Sequence, residues 1–375
     1  MKAWERGEER LRERAERRAA EDAARLAELE AAGIDLDPAG RVRDPAADPD
    51  QPGDPPAGSR NAGEDAPRSG EDDRGHAHPH PHAHDEGERP VVGIVGAGAV
   101  GLALGVAIDR AGWPVGAVAS RDAGRRERFR AHVPSARMFA EATALVDDVD
   151  LVILAVPDDV IAPLAAGLRL YAGQAIVHTS GLLGAEVLAP ALAAGSQAGA
   201  FHPLVAFADL DRALAALHGA TIAIEGDDEL AAHLGDLAEA IGGHPVRLAP
   251  GSKAAYHAAA VLAAGGVTAV LDTIREIAAV MGLDEAGALR IYLPLLEQTV
   301  ANARALGVAA ALTGPATRGD AGTVAAHLDA LASGAPGALP VYRALLARSV
   351  AIAEARGTLA PEPAERLRTA LAGDP

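Results

Sequence analysis

Three glycines in the sequence have the spacing of a nucleotide phosphate site. Residues 96–101 read GAGAVG, a G-x-G-x-x-G pattern that follows an apolar run beginning at Val91 and precedes helix-forming residues. In this pattern Gly96 permits a tight turn, Gly98 lets the backbone approach a pyrophosphate, and Gly101 lets helix and strand pack closely. The alternative is a tight turn without a ligand in a chain rich in glycine and alanine. The predicted dinucleotide-binding residues of this turn are Gly96, Gly98, Ala99, Val100 and Gly101.

The end of the next predicted strand indicates which dinucleotide is bound. NAD sites usually place an Asp or Glu about 20 residues further on, against the ribose 2′-hydroxyl. Here the strand ends in Ser120 and Arg121, and Asp122 lies one residue beyond. A hydroxyl followed by a guanidinium suits a 2′-phosphate, and Arg125 and Arg126 lie one helical turn later. We therefore predict NADP rather than NAD, with Ser120 and Arg121 as ligands; the alternative is that Arg121 is a solvated loop charge.

The ends of two later strands are expected to border the same site, because ligands of doubly wound sheets lie at the carboxyl ends of the strands. Val156 and Pro157 close one strand and should run beside the cofactor, and Asp158 is expected to cap the following helix. Residues 178–181 end the next strand, where nicotinamide and substrate would meet. Ser180 is predicted either to hydrogen-bond a substrate carboxylate or to cap the next helix.

A second group of residues suited to catalysis lies in the segment PGSKAAYHAAA, residues 250–260. Lys253 and His257 are four residues apart and so share one helix face. The chain has only two lysines, and lysine, unlike arginine, can lose its proton when it is desolvated. A lysine acting as an acid or carbonyl polariser with a histidine partner suits hydride transfer to or from C=O or C=N. The alternative is a surface lysine and a core histidine.

Two further positions have one functional and one structural interpretation each. His202 follows a predicted strand and precedes a proline, so it is expected either to face the same cleft or to cap and pack locally. Arg318 lies in the loop TGPATRGD, residues 313–320. It is predicted either to hold a substrate carboxylate or to form a structural pair with Asp320.

The pattern of apolar residues predicts an α/β fold. Short, nearly continuous apolar runs are typical of strands buried on both faces of a parallel sheet, and helical patterns separate them. The predicted strands begin at Val91 and continue at 115–120, 150–157, 174–180, 199–207, 219–226 and 244–249. The predicted helices between them span 99–111, 122–131, 158–169 and 182–194. After Pro250 only helices are predicted, over 252–281, 284–306, 321–332, 338–356 and 361–371.

These patterns divide the chain into four parts. Residues 1–33 are predicted to form a charged helix, and 34–89, rich in Pro, Gly, Asp and Arg, a disordered linker. Residues 90–249 are predicted to form a doubly wound Rossmann domain, and 250–375 a helical substrate and dimerisation domain. The linker ends in HAHPHPHAH, whose imidazoles could collect transition-metal ions. A low-complexity tract that binds metal only loosely is the favoured interpretation, so no metal site is predicted.

Composition excludes several classes of function. The 375-residue chain has a formal net charge of −18, which argues against nucleic-acid binding. It has no cysteine, and therefore no disulfide and no thiolate chemistry. We find no apolar run near the roughly 20 residues of a membrane helix and no signal-peptide pattern. The expectation is a soluble cytoplasmic protein without nucleic-acid or membrane partners.

Six segments of the sequence carry a family resemblance: GIVGAGAVG, AVPDDVI, HTSG, FHPL, KAAYHAAAV and LTGPATRGD. With these, residues 90–360 resemble the Rossmann-like and domain-of-unknown-function 2520 proteins of the 6-phosphogluconate dehydrogenase-like superfamily. The resemblance implies an NADP-dependent oxidoreductase whose helical C-terminal domain pairs with a second subunit. In the wider β-hydroxyacid dehydrogenases an asparagine follows the lysine by four residues, where this chain has His257. A polar Ser-Asn expected further along that helix is replaced by Ala264 and Gly265.

Together these observations predict an NADP-dependent oxidoreductase that acts on a small carboxylate-bearing carbonyl, imine or alcohol. The predicted catalytic residues are Lys253, His257, Ser180 and His202. One alternative is a reductase of a pyrroline-carboxylate or deazaflavin type. Another is a regulator that binds NADP without turnover.

Overall fold

The computed structural model describes residues 89–193, 195–249 and 251–373. The predicted N-terminal helix, nearly all of the predicted linker and the histidine tract lie outside the described residues. Within the described residues, all strands precede the helical segment that begins at Lys253, as the apolar runs predicted.

Eight strands of the described chain form one sheet in the order β3-β2-β1-β4-β5-β6-β7-β8. Strands β1, β4 and β5 at its centre are buried along their whole length. This burial explains why their sequences are continuous apolar runs rather than alternating ones. The strands are β1 (Val92–Val95), β2 (Val115–Ala119), β3 (Arg137–Phe139), β4 (Leu151–Leu154), β5 (Ala175–His178), β6 (Gln197–Pro203), β7 (Thr221–Glu225) and β8 (His244–Arg247).

The helices that accompany the sheet begin at caps the sequence provides. Asp122, Asp209 and Asp227 each accept a hydrogen bond from a backbone amide of the following helix, which satisfies a donor otherwise left unpaired. The last two caps start helices that the apolar runs did not predict. The helices are α1 (Ala99–Arg110), α2 (Ala123–His132), α3 (Asp158–Gly167), α4 (Leu210–Leu217) and α5 (Asp228–Ala240).

The sheet differs from the prediction in two respects. Strand β7 runs antiparallel to β6, whereas the other neighbouring strands of the sheet pair in parallel. The short edge strand β3 was not predicted. Apolar runs report burial but not strand direction, and the three residues of β3 are too few and too exposed to produce a run. The α/β class and the doubly wound arrangement of the first strands are confirmed.

The predicted α-helix over 182–194 is wrong. The chain forms only a 3₁₀ segment there, Ala185–Ala191. Pro190 lies inside it and lacks the amide that an α-helix would use, and Gly184 precedes it. The segment that follows β5 is therefore a loop with its own hydrogen bonds, which matters for the site described below.

The C-terminal part is entirely helical in the described residues, close to the predicted bounds. Its own core includes Val324, Leu328, Val350 and Leu367. The helices are α6 (Lys253–Val261), α7 (Val267–Ala279), α8 (Glu285–Leu306), α9 (Val308–Ala311), α10 (Pro315–Arg318), α11 (Ala321–Gly334), α12 (Leu339–Ala355) and α13 (Pro361–Ala372). A single turn of π-helix, Leu262–Gly266, joins α6 to α7.

Helices α6 to α9 leave much apolar surface uncovered. The 22-residue helix α8 buries only Gly287 and Ala288, and α7 buries only Ala278. The continuous helical run Lys253–Ala279 has the length and apolar composition of a membrane span, with a mean hydropathy of 1.6. The sequence reading that no apolar run approaches this length is therefore corrected. The exposed apolar residues of these helices are Val261, Leu262, Val267, Ile291, Leu295, Val300, Leu306 and Val308.

Candidate functional site

The glycine turn has the geometry that the sequence predicted. Gly96 has φ of +101°, a conformation that side chains rarely adopt, and a Cβ there would collide with the carbonyl oxygen of Ala155. A Cβ on Gly101 would collide with the carbonyl oxygen of Gly96, so helix α1 can pack on strand β1 only without a side chain at Gly101. A Cβ on Gly98 would meet only the Arg125 guanidinium, at 3.8 Å. The middle glycine therefore borders open space.

That open space is a cavity of about 300 Å³ at the N-terminus of α1. Gly98 caps the helix without a side-chain hydrogen bond, so the first amides of α1 have no side-chain acceptor. Arg125 and Arg128 line the same cavity. Two guanidiniums beside free helix amides suit the phosphates of a dinucleotide. Arg125 was suggested by the sequence, whereas Arg128 was missed because only the helical turn of α2 brings it to the cavity.

The predicted 2′-phosphate residues lie at the end of β2. Arg126 donates a hydrogen bond to the carbonyl oxygen of Ser120, which holds the strand end against α2. Arg121 is exposed. Asp122 accepts a hydrogen bond from the Arg125 amide at 3.0 Å and so caps α2. Oδ1 of Asp122 is therefore used as a helix cap, and its Oδ2 lies 3.6 Å from Arg125 Nε.

The segment AVPDD runs against the glycine turn. Its predicted position beside a cofactor stays a prediction. The Ala155 amide donates to the carbonyl oxygen of Val95 at 2.8 Å, and a Cβ on Gly96 would lie 3.0 Å from a methyl group of Val156. Pro157 is the N-cap of helix α3, and Asp158 is its first residue, so the predicted cap role of Asp158 is wrong. The Asp158 carboxylate accepts a hydrogen bond from the Ser180 hydroxyl at 2.9 Å.

Ser180 does not cap a helix as predicted, because no α-helix forms in the described part of 182–194; it holds the loop after β5 instead. Its oxygen accepts hydrogen bonds from the amides of Leu182 and Leu183, at 3.1 and 2.9 Å, while its proton goes to Asp158. A hydroxyl has one donor and two acceptor positions, so Ser180 is saturated. It shapes the loop after β5, and a direct bond from Ser180 to a substrate would require one of these contacts to break.

Lys253 is buried and already paired. Only 6% of the residue is exposed, and its ammonium lies 3.4 Å from a carboxylate oxygen of Glu225. The same oxygen accepts a hydrogen bond from the Ala185 amide at 3.2 Å. Burial lowers the pKa of Lys253, while Glu225 acts in the opposite direction. The carboxylate therefore connects helix α6 to the loop after β5.

His178 is the most deeply enclosed titratable group of this cluster, with no exposed surface. Its Nδ1 accepts from the Ser180 amide at 3.2 Å, so its Nε2 carries the proton and donates to the Gly184 carbonyl at 3.0 Å. Burial lowers the pKa of His178. The neutral ring holds both ends of the loop 180–184.

Two more histidines and a tyrosine converge on the same loop. His202 Nδ1 lies 3.3 Å from the Tyr256 hydroxyl, and the two rings meet edge to face. The His202 and His257 rings also meet edge to face, with centroids 5.9 Å apart. Gly181 has no room for a side chain, because a Cβ there would collide with His257 Nδ1 and lie 2.8 Å from His202 Nε2. Burial, followed by the charges of His257 and Lys253, lowers the pKa of His202 to about 4.

One atom of this group has no hydrogen-bond partner. His257 Nδ1 is buried without a donor or acceptor among the described residues. Buried polar atoms are rarely left unpaired, and each exception calls for an explanation such as a ligand or water. Of the two residues predicted to share a helix face, Lys253 has a carboxylate partner, whereas His257 Nδ1 has no hydrogen-bond partner among the described residues.

The structure thus unites the four predicted catalytic residues and adds residues that the sequence did not single out as catalytic. The added residues are Asp158, Glu225 and Tyr256. From the sequence, Asp158 was expected to be only a helix cap. No catalytic role was predicted for Glu225, at the end of a later strand, or for Tyr256, within a helix. The need of a buried lysine for a counter-charge was the signal that could have indicated Glu225. No group of metal-ligating side chains suited to an ion occurs within the described chain.

The segment 313–320 contains the short helix α10 and leads into helix α11. Asp320 accepts hydrogen bonds from the amide and hydroxyl of Thr323, at 3.0 and 2.7 Å, and so caps that helix. These bonds lower the pKa of Asp320, and the charge of Arg318 adds to the effect. Arg318 itself is exposed. Its predicted grip on a substrate carboxylate stays a prediction.

Two family models match the chain, and the second also covers strands β7 and β8 of the sheet. A model of a Rossmann-like domain matches residues 78–203, and a model described as domain of unknown function DUF2520 matches residues 220–349. The chain combines a Rossmann-like domain with a DUF2520 domain. The resemblance predicted from the six sequence segments is confirmed. A search of curated proteins finds no significant match.

Solved structures share the fold of this Rossmann-like and DUF2520 chain. A protein from Bacteroides fragilis described as a candidate NADP oxidoreductase is 23% identical, with a TM-score of 0.60, covering 71% of this chain and 98% of that one. A Thermotoga maritima protein is 26% identical, with a TM-score of 0.55 and coverage of 71% and 99%. A reductive aminase from Aspergillus terreus, solved with NADPH and ethyl-5-oxohexanoate, is 18% identical, with a TM-score of 0.53 and coverage of 75% and 99%.

Proposed function

We propose that the protein is an NADP-dependent oxidoreductase. It transfers a hydride between nicotinamide and a small carboxylate-bearing carbonyl, imine or alcohol. The observation that carries the proposal is the hydrogen bond from Ser180 to Asp158, 2.9 Å long. Asp158 continues the segment that borders the glycine turn, and Ser180 begins the loop enclosed by the histidines. This bond links the predicted phosphate-binding turn to the cluster of ionisable groups, which supports a site where hydride passes between a bound dinucleotide and a substrate.

The residues present fit the dinucleotide. Gly98 leaves open the space that a pyrophosphate would fill, and Arg125 and Arg128 supply positive charge beside it. When bound, the cofactor supplies or accepts the hydride. Ser120 and Arg121 at the end of β2 favour a 2′-phosphate, because Asp122 is used as the cap of α2.

The protein's own groups hold the reacting centre in a defined shape. Ser180, His178 and Glu225 hold the loop after β5 by four hydrogen bonds to its backbone amides and one to a carbonyl. Lys253 balances the charge of Glu225 beside this loop. Such preorganised groups favour a reaction because they need no rearrangement as charge develops.

Titration with NADPH and NADH, followed by nicotinamide fluorescence, tests the proposal. We expect tighter binding of NADPH, and we expect Arg125→Ala to weaken it roughly tenfold or more through loss of a charge-assisted contact. Arg130→Ala is the matched control, because Arg130 lies on the same helix but pairs with exposed Glu127. Failure of the wild-type protein to bind either nucleotide would contradict the proposal. Turnover is then sought with pyruvate, glyoxylate and pyrroline-5-carboxylate.

A regulator that binds NADP without turnover is the second candidate. The observation in its favour is that Ser180 is saturated by internal hydrogen bonds and Lys253 is buried beside Glu225, although both were predicted to be catalytic. A change in nicotinamide absorbance that depends on an added carbonyl or imine acid distinguishes the two functions. Its absence across such a panel, together with tight NADPH binding, would favour the regulator.

We further propose that the protein is a cytoplasmic homodimer joined through helices α6 to α9. The long helix α8 exposes Ile291, Leu295 and Val300, and a second copy would cover such a surface without a membrane. Sedimentation of wild type should give a dimer, and Leu295→Glu should give a monomer. Val246→Glu, which alters an exposed apolar residue of strand β8, is the control. Recovery of the wild-type protein only in detergent would instead favour membrane insertion of the run Lys253–Ala279.

A further inference from the structure

The proposed reaction needs a proton donor, and most acidic groups of the cluster are already committed. Lys253 is paired with Glu225, and Asp158 accepts from Ser180. His178 has no exposed surface and uses both ring nitrogens. A group that donates a proton to substrate must be protonated near neutral pH and must reach the substrate. His178 cannot donate a proton without losing a buried partner, whereas Lys253 uses only one of its three N–H donors, on Glu225.

Tyr256 has both properties. It lies on α6, one residue before His257, and its ring is only partly buried. Its hydroxyl lies 3.3 Å from His202 Nδ1. Burial raises the pKa of Tyr256, so the hydroxyl is protonated at neutral pH. A neutral phenol held by an imidazole can lose its proton and recover it from the ring nitrogen.

We propose that the hydroxyl of Tyr256 is the proton donor of the reduction, and that His202 positions and reprotonates it. This assignment rests on the proposed oxidoreductase function and deepens it. It differs from the role predicted for Lys253, whose ammonium lies 3.4 Å from a carboxylate oxygen of Glu225. The substrate accordingly offers a carbonyl oxygen or imine nitrogen that needs one proton.

For a 2-oxo acid the step balances as follows. Hydride from NADPH forms a new C–H bond at the carbonyl carbon, so NADPH is oxidised to NADP⁺ and the carbonyl is reduced. The π electron pair moves to the carbonyl oxygen, which takes the proton of Tyr256. The tyrosinate recovers a proton from His202 Nδ1, while His202 Nε2 takes one from water. The product is a 2-hydroxy acid, Tyr256 regains its proton, and His202 is left as the Nε2–H tautomer. Loss of that Nε2 proton to water and uptake of one at Nδ1 return His202 to its starting tautomer.

The chain contains a second histidine–tyrosine pair that serves as an internal control. His327 Nδ1 lies 2.7 Å from the Tyr342 hydroxyl, and the rings meet at 81° with centroids 5.9 Å apart. The corresponding rings of His202 and Tyr256 meet at 83° with centroids 5.6 Å apart. Tyr342 belongs to α12, in the C-terminal helical core, and none of its contacts involves the loop 180–184. Removing the hydroxyl of Tyr256 or of Tyr342 therefore breaks a similar tyrosine–histidine hydrogen bond, but only the Tyr256 bond lies at the candidate site.

The test compares Tyr256→Phe with Tyr342→Phe in the full-length protein. The substrate is whichever of pyruvate, glyoxylate or pyrroline-5-carboxylate supports NADPH oxidation. Loss of a general acid should lower the single-turnover rate of hydride transfer about 100-fold or more. The Kd for NADPH should stay within about twofold, and Tyr342→Phe should leave the rate unchanged. His202→Gln should lower the rate by a smaller factor, because the phenol remains.

Two results would overturn the assignment. A Tyr256→Phe rate close to wild type would remove Tyr256 from the reaction while leaving the oxidoreductase function intact. Absence of NADPH-dependent turnover in the wild type with every probe would overturn the assignment together with the proposed function. The wild-type control thus separates the two failures.

A fluorotyrosine at position 256 gives a second readout should the phenylalanine variant fold poorly. Fluorine makes the phenol more acidic at nearly the same shape, so the alkaline limb of the pH–rate profile should move to lower pH. The charged and titratable groups around the Tyr256–His202 pair, namely Asp158, His178, Lys253 and His257, are unchanged by this replacement. An unshifted alkaline limb would contradict the assignment.

Discussion

The Ser180 hydroxyl donates a 2.9 Å hydrogen bond to the Asp158 carboxylate and joins the ends of two neighbouring strands of the sheet. Asp158 starts the helix after β4, and Ser180 starts the loop after β5. The bond therefore connects the segment beside the glycine turn with the segment beside the histidines.

Replacing Ser180 by alanine should destabilise the protein and loosen the loop after β5. The change leaves the Leu182 and Leu183 amides and one Asp158 oxygen without a partner, at a cost of about 2 kcal/mol or more. Urea denaturation at neutral pH measures this free energy of unfolding. Ser196→Ala is the control, because its hydroxyl makes exposed local bonds with Ala193. Equal stability of the two variants would contradict the prediction.

Alanine at Gly101 and at Gly98 should have different consequences. A methyl group on Gly101 would collide with the carbonyl oxygen of Gly96, so Gly101→Ala should cost roughly 2–3 kcal/mol of stability. Gly98→Ala has room, since its nearest neighbour is the Arg125 guanidinium at 3.8 Å, so the protein should fold normally. The methyl group would instead occupy space beside the helix amides and weaken NADPH binding. Thermal melting and nucleotide titration distinguish the two effects; a stable Gly101→Ala variant would be inconsistent with the close packing.

The pair Lys253–Glu225 should show strong coupling. Lys253→Met leaves the Glu225 carboxylate partly buried without its counter-charge, which should cost about 2–4 kcal/mol. Lys253→Met combined with Glu225→Gln should recover much of that loss, because no unpaired charge remains. A double-mutant cycle by chemical denaturation measures the coupling. If the free energy lost in the double variant equals the sum of the losses in the two single variants, the ion pair contributes nothing to stability.

His202 should make stability depend on pH in the acidic range. Its folded pKa is about 4, below the ordinary value of 6.5, so the unfolded chain binds more protons between these pH values. Stability should therefore be full above about pH 6.5 and decline as pH falls toward 4, by at most about 3 kcal/mol. His202→Gln should flatten this part of the stability curve. The groups that act on His202 by charge are His257, Lys253, Asp158 and His178, so wild type and variant are compared at the same ionic strength.

The comparison is made with urea denaturation at several pH values from 4 to 7. Variant and wild type should differ most in the slope of the free energy of unfolding against pH, and less in their stability at neutral pH. An unchanged slope in His202→Gln would assign the acid sensitivity to other groups of the cluster.

Local sequence determined the fold class and the glycine turn. Buried strands need continuous apolar residues, and a turn that brings helix α1 onto strand β1 needs glycine at Gly96 and Gly101. Both requirements are local in the chain, so spacing alone reveals them. The helices after Lys253 were likewise predictable, because their apolar periodicity extends over many turns.

Only the tertiary structure decided which side chains meet at the end of the sheet. Glu225 reaches Lys253 because β7 runs antiparallel to β6. The direction of a strand cannot be predicted from an apolar run. Tyr256 meets His202 because helix α6 packs against the loop after β5, at a residue, Gly181, that has no side chain to keep them apart. The sequence by itself specified residues that can carry redox chemistry and the elements that hold them. Their partners, and hence their protonation and freedom to act, depend on contacts between residues far apart in the chain, which folding alone creates.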